Sequence, residues 1–174
     1  MLDRKQITGI TSGPNGPANP NFGDLWFETQ ANGNVLYAWP WQRGANGWQG
    51  PEIIQQIDYR AITGNTFSFI DTVGRRIRIL GFQLKTFSPV EQTASAYWGH
   101  TLFRVSELND RSQILGTNTI GNLANRYATR TVNINETYNP SVDNFTLIQL
   151  ETRVIAGAPG TLTGSAIIRY HWLR

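Results

Sequence analysis

The chain has no cysteine, which excludes disulfides, thiolate metal sites and cysteine nucleophiles. Lysine is almost missing, present only as Lys5 and Lys85, so the formal net charge of +3 rests on arginine. The arginines are dispersed (Arg43, Arg60, Arg104, Arg126, Arg153, Arg169), and only Arg75, Arg76 and Arg78 cluster. That is no basic stripe, and no nucleic-acid partner is expected. Planar arginine forks suit interfaces at least as well. No apolar run approaches the roughly 18 residues of a membrane span. The opening MLDRKQITGITSG carries no apolar run of signal-peptide length.

Chemistry-bearing residues are equally sparse. The two histidines, His100 and His171, each fall inside an expected strand, and neither has a clustered second ligand or an elbow-borne serine beside it. Glu107 with Asp110, and Glu136 with Asp143, are the acid pairs that share a loop. With only 12 acids among 15 basic residues, these read as solvated or ion-paired groups rather than a glycosidase couple. Phosphate-cradling glycine motifs are missing too. No catalysis, no cofactor and no metal are expected.

What the chain does have is aromatic residues, and they concentrate in GDLWFETQANGNVLYAWPW, residues 23–41. Two short apolar runs, Asp24 to Thr29 and Asn34 to Trp39, flank Gln30-Ala31-Asn32-Gly33. Asn-Gly tolerates φ > 0 at both central positions, so a hairpin is expected there. An isolated hairpin is marginal in water, so its aromatics must bury against something, with Trp41 and Trp48 nearest. Trp26 and Leu36 are the expected core residues.

This order of residues resembles a small module of bacteriophage tail-fibre and related virion proteins. There Pro-x-x-Gly-Asp-Leu-Trp leads through a turn to Leu-Tyr-x-Trp and a closing Trp. Pro20 to Gly23 supplies the opening here and Trp48 the close, and the match covers residues 20–50. The resemblance implies a structural or attachment role in a virion and implies no catalysis.

The remaining chain divides around that module. Residues 1–22 form an extended leader rich in Gly, Pro and Asn, with little to bury, suited either to a linker or to docking on other virion proteins. The hairpin module occupies 23–50. A connecting segment, 51–62, holds Ile53, Ile54 and Ile57 at helical spacing, which suits a short helix or a linking strand in a trimer. From residue 63 to 174 the pattern switches to period two. Thr66 to Ile70, Arg76 to Phe87, Trp98 to Val105, Ala128 to Ile134, Phe145 to Thr152 and Thr161 to Leu173 alternate, separated by turn-rich loops. The frame slips at Leu80-Gly81, where a bulge is expected. A mainly β fold follows, with an antiparallel, jelly-roll-like β-sandwich after the hairpin module.

Tyr97 and Trp98, beside the loop 89–95, are candidate contacts for a host glycan or receptor, against the alternative that such aromatics are core. Ile53, Ile54 and Ile57, with Tyr170 and Trp172 on a closing strand that has apolar residues on both faces, are the candidate oligomer interface. Together these give the functional expectation: a homotrimeric tail fibre or fibre-like appendage on the virion exterior, made in the host cytoplasm, not inserted in a membrane, docking through residues 1–22 and presenting its β-domain for host attachment. A capsid decoration or cement protein, and a carbohydrate-binding module, are the alternatives.

Overall fold

The structure is a computed structural model that describes residues 9–36, 39–44, 47–72, 75–89, 93, 95–119 and 127–174. Twelve strands lie among the described residues: β1 Ile10–Gly13, β2 Leu25–Glu28, β3 Trp41–Gly44, β4 Gly47–Gln49, β5 Ile53–Ile62, β6 Thr66–Asp71, β7 Arg76–Phe87, β8 Tyr97–Val105, β9 Arg111–Thr119, β10 Tyr127–Tyr138, β11 Leu147–Ala156 and β12 Leu162–Leu173. One helical turn, α1 Pro140–Asp143, is capped by the Asn139 side chain accepting from the Ser141 N–H. The chain is mainly β, as the alternating runs require.

Two sheets face one another. The larger has the order β1-β2-β3-β4-β12-β7-β10, with β5 also on β12; the smaller has the order β6-β11-β8-β9. All pairings are antiparallel except β1 with β2. Period-two patterning sends Ile77, Ile79, Phe82, Leu84, Ala166 and Ile168 of the larger sheet against Leu102, Ile148 and Leu150 of the smaller, in one buried cluster. The same cluster takes in Trp26, Trp41 and Trp48, so the aromatic module and the sandwich share a core.

β12 is the seam of the larger sheet. β7 pairs along one side of it, and β5 and then β4 along the other. The corner between β4 and β5 is held by Gly50 N–H donating to Trp172 O at 2.9 Å and Arg174 N–H to Trp48 O at 2.9 Å. The slip at Leu80-Gly81 is a bulge: Gly81 stands opposite Arg169 and Ile79 opposite Tyr170, leaving Leu80 as the extra residue. Gly81 is required there because a Cβ would lie 2.8 Å from the Val132 carbonyl oxygen.

Of the two readings of 51–62, a short helix or a linking strand, the strand forms: in Ile53–Ile62, Ile53 and Ile57 turn inward at even spacing with buried Tyr59, while Ile54 points to solvent. The expected turn forms, with Gln30 N–H donating to Asn34 O at 2.8 Å and Gly33 N–H to Gln30 O at 2.9 Å. Its second arm, however, touches the first only through a Thr29–Val35 bridge, and Leu36 is 41% exposed. The true partner of β2 is β3, with Trp26 opposite Trp41. Tyr37 and Ala38 of the expected second arm, Arg126, and residues 1–8 of the leader, lie outside the described residues. Within that leader, β1 adds to the sheet edge in parallel beside β2.

Gly33 sits at φ +85° with open space around its Cα. Gly33→Ala is therefore expected to cost about 1 kcal/mol from the backbone alone, with Gly33→Asn recovering part of it. Urea midpoints of the three proteins check this; an unchanged midpoint in Gly33→Ala would show that the turn does not hold a left-handed residue.

Candidate functional site

The aromatic module is organised around a buried carboxylate. Alternation on β2 turns Trp26 and Glu28 to the same inner side, where each is at most 3% exposed. Glu28 accepts a hydrogen bond from Trp41 Nε1 at 3.0 Å and pairs with the Arg174 guanidinium at 2.7 Å. Arg174 also lies over the Trp26 ring, 6.0 Å from its centroid. Trp26 donates its Nε1–H to Gly13 O at 3.0 Å, which ties β1 to β2, and its ring meets Trp48 at 5.6 Å and 58°. With both partners in place the buried carboxylate is satisfied; removing Arg174 leaves it a buried charge without its counter-ion, and removing Trp41 leaves the ion pair without its indole hydrogen bond. The arrangement is structural glue: its polar groups are spent on one another.

A second buried polar cluster bridges the two sheets. His100 of β8 is fully buried, and Tyr59 of β5 reaches across to it. His100 Nδ1 lies 2.9 Å from Thr152 Oγ1, and Tyr59 Oη lies 2.8 Å from the same hydroxyl. His100 Nε2 has no hydrogen-bond partner among the described residues. An unmet lone pair costs less than an unmet N–H, so the proton belongs on Nδ1, donating to Thr152. Burial among Tyr59 and Phe82 pushes the His100 pKa down to about 3, and burial pushes Tyr59 up to about 12 against the opposing Thr152 bond. His171 differs: its Nδ1 donates to the Gly50 carbonyl at 2.8 Å and helps hold the β4–β5 corner. Among the described residues, neither histidine faces an acid and a nucleophile together in the way a triad needs.

The residues singled out in the sequence fall in unlike places. Trp98 is fully buried and donates its indole N–H to Gly160 O at 3.1 Å, so it has no ring face left for a sugar. The reason is parity: Trp98 shares the inner side of β8 with His100 and Leu102. Tyr97, beside it, is half-buried. Tyr170 and Trp172 are buried in the chain's own core, edge-on at 5.4 Å, because β12 is central and its alternate residues face the second sheet. Ile53 and Ile57 pack partly buried against the same core. Of the five interface candidates only Ile54, 63% exposed, faces solvent.

Ile54 lies on an open flank of the sandwich. β5 pairs only with β12, and β6 only with β11, so both sheets end on this side in an unpaired strand among the described residues. The two edges are pinned to each other where Gln55 Nε2 donates to Phe69 O at 3.3 Å. Asp58 and Arg60 charge the outer part of β5, and Ile54, Phe67 and Phe69 leave large apolar groups around the rim.

These features define a mainly β sandwich with an aromatic N-terminal module. No protein-family model and no curated protein matches the chain. Solved structures similar to it include a chain in the structure of infectious bursal disease virus Gx strain, 14% identical, at a TM-score of 0.40 over 71% of this chain and 33% of that one. Another is from Bacillus endospore appendages, described as disulfide-linked pili, at 15% identity and a TM-score of 0.37 over 75% of this chain and 94% of that one. A third is a non-crystalline-cellulose-specific carbohydrate-binding module, CBM28, at 12% identity and a TM-score of 0.31 over 83% and 79%. The chain thus spans about a third of the length of the first of these virus chains.

Proposed function

We propose that the protein is a structural subunit of a virion, a fibre-like appendage that self-assembles around a threefold axis and joins its particle through residues 1–22. The observation that carries this reading is the open flank, where two adjacent strands, β5 of 10 residues and β6 of 6, each leave their outer edge without a partner strand among the described residues. A long free edge templates pairing with another chain unless it is covered, and a closed ring of subunits covers it. Ile54 beside that edge supplies an apolar anchor, and Asp58 and Arg60 supply register. The Pro20 to Trp48 resemblance supports placing the assembly on a phage particle.

Sedimentation equilibrium at micromolar concentration tests the assembly. The expected mass is about three times the 19.5 kDa monomer. Ile54→Lys is expected to lower that mass while leaving the β-sheet circular dichroism of the chain unchanged, because Ile54 is exposed within the single chain and its folding does not depend on it. A wild-type monomer or dimer overturns the threefold reading. Antibody labelling of purified particles tests the location: label on the tail supports the appendage, label on the head supports a decoration protein, and absence from particles ends the virion reading.

A further inference from the structure

The outer face of the smaller sheet does not look like a solvated sandwich face. Register places Phe69, Gln149 and Phe103 in one row across β6, β11 and β8, and Phe67 beside Glu151 in the next. Phe67 and Phe69 are 45% and 52% exposed, on the rim strand. Between them and the far side, Gln149 and Glu151 are buried although they point away from the core. Glu151 is held by Arg111 at 3.0 Å, and the Arg111 guanidinium lies 3.9 Å above the Phe103 ring. Polar groups therefore form the floor, with phenyl rings on one side and an arginine-capped phenyl ring on the other.

We propose that this face binds a neutral glycan. Phe67 and Phe69 are two residues apart on one strand, so their rings stand about 7 Å apart and offer consecutive apolar platforms for the C–H faces of sugar rings. The Gln149 amide makes no hydrogen bond among the described residues, and the Glu151 carboxylate keeps acceptor capacity beyond its Arg111 bond. Both are planar groups of the kind that pair with adjacent hydroxyls. Charge selects against a polyanion or polycation: Asp71 and Glu151 are balanced on this face by Arg111 and Arg153. A polar floor with a free amide also fits a hydroxylated ligand better than the apolar core of a subunit contact. The site borders the flank that carries Ile54, since β6 supplies both its edge to that flank and Phe67 and Phe69 to this face, but the inference does not rest on the assembly reading.

Affinity electrophoresis of the full-length protein through gels containing hydroxyethylcellulose, galactomannan, dextran or soluble starch tests this, with heparin as the polyanionic comparator. Retardation by at least one neutral polymer is expected, weakened about tenfold in Phe67→Ala/Phe69→Ala. Gln149→Ala serves if the double variant does not fold, and a several-fold loss is expected. The inference is overturned by mobility unchanged in all four neutral polymers, by retardation that both variants retain, or by retardation in heparin alone. A sedimentation mass that falls in the double variant would reassign the face to self-association and overturn it as well.

Discussion

Acidification is expected to unfold this protein along a limb set by one histidine. His100 in the unfolded chain titrates near 6.5, and in the folded core it is pushed down to about 3. At pH 7.5 it is largely neutral in both states and costs little. Below pH 6.5 the unfolded chain takes up a proton that the folded chain refuses, so unfolding free energy falls by about 1.4 kcal/mol per pH unit until the folded pKa is reached. The whole window, pH 6.5 to about 3, amounts to about 5 kcal/mol. Urea unfolding at pH 7.5 and pH 5.0 reads the upper part, where most carboxylates are still ionised, and about 2 kcal/mol should be lost there. His100→Gln keeps a polar partner for Thr152 but cannot titrate, and should flatten that part of the curve. If the variant loses as much stability as the wild type between the two pH values, the acid limb does not come from His100.

Trp26→Ala is expected to cost about 3–5 kcal/mol, the range for truncating a buried large aromatic. The loss has three sources on the page: the ring's burial, its contact with Trp48, and the Gly13 carbonyl left without its indole donor. In a chain of 174 residues this lowers the melting temperature by roughly 10 °C. Because Trp26 belongs to the same buried cluster as Trp172 and Ile168, the whole transition should shift rather than split. Leu36→Ala, at an exposed position, should move it little. Calorimetry giving two transitions in Trp26→Ala, with the upper one at the wild-type temperature, would show that module and sandwich unfold separately.

How much was legible in the sequence follows from what each residue's neighbours determine. The run Arg76 to Phe87 reads correctly to the residue, bulge included, because a strand buried on one face must alternate and a slip in frame must be absorbed. Ile53, Ile54 and Ile57 left helix and strand open because their spacing suits both, and only pairing with β12 decides. β9 escaped notice since RSQILGTNT is mostly polar, as an edge strand can be, and β1 because its four residues sit among turn formers. Of the two candidate contacts, parity turns Trp98 into the core and leaves Tyr97 half-buried. Trp98 and Tyr97 differ by one position and hence by a face, and which face is inner depends on the partner strand. Glu28 with Arg174, and Glu151 with Arg111, were invisible because their members lie far apart in sequence and nothing local marks them. The same holds for the row that joins Phe69 to Gln149 and Phe103, which exists only once register is known.

The central place of β12 has a consequence for how the chain is made. A ribosome delivers residues in order, so β4, β5 and β7 emerge well before the strand that all three pair with. During that interval the larger sheet has no middle, and each of those strands presents a free edge. Local hairpins cannot close the gap, since β4 and β12 are separated by more than a hundred residues and such long-range pairing forms slowly. The nascent chain is therefore most exposed to mispairing with its neighbours just before residues 162–173 appear, and copies synthesised side by side on one message meet each other in that state.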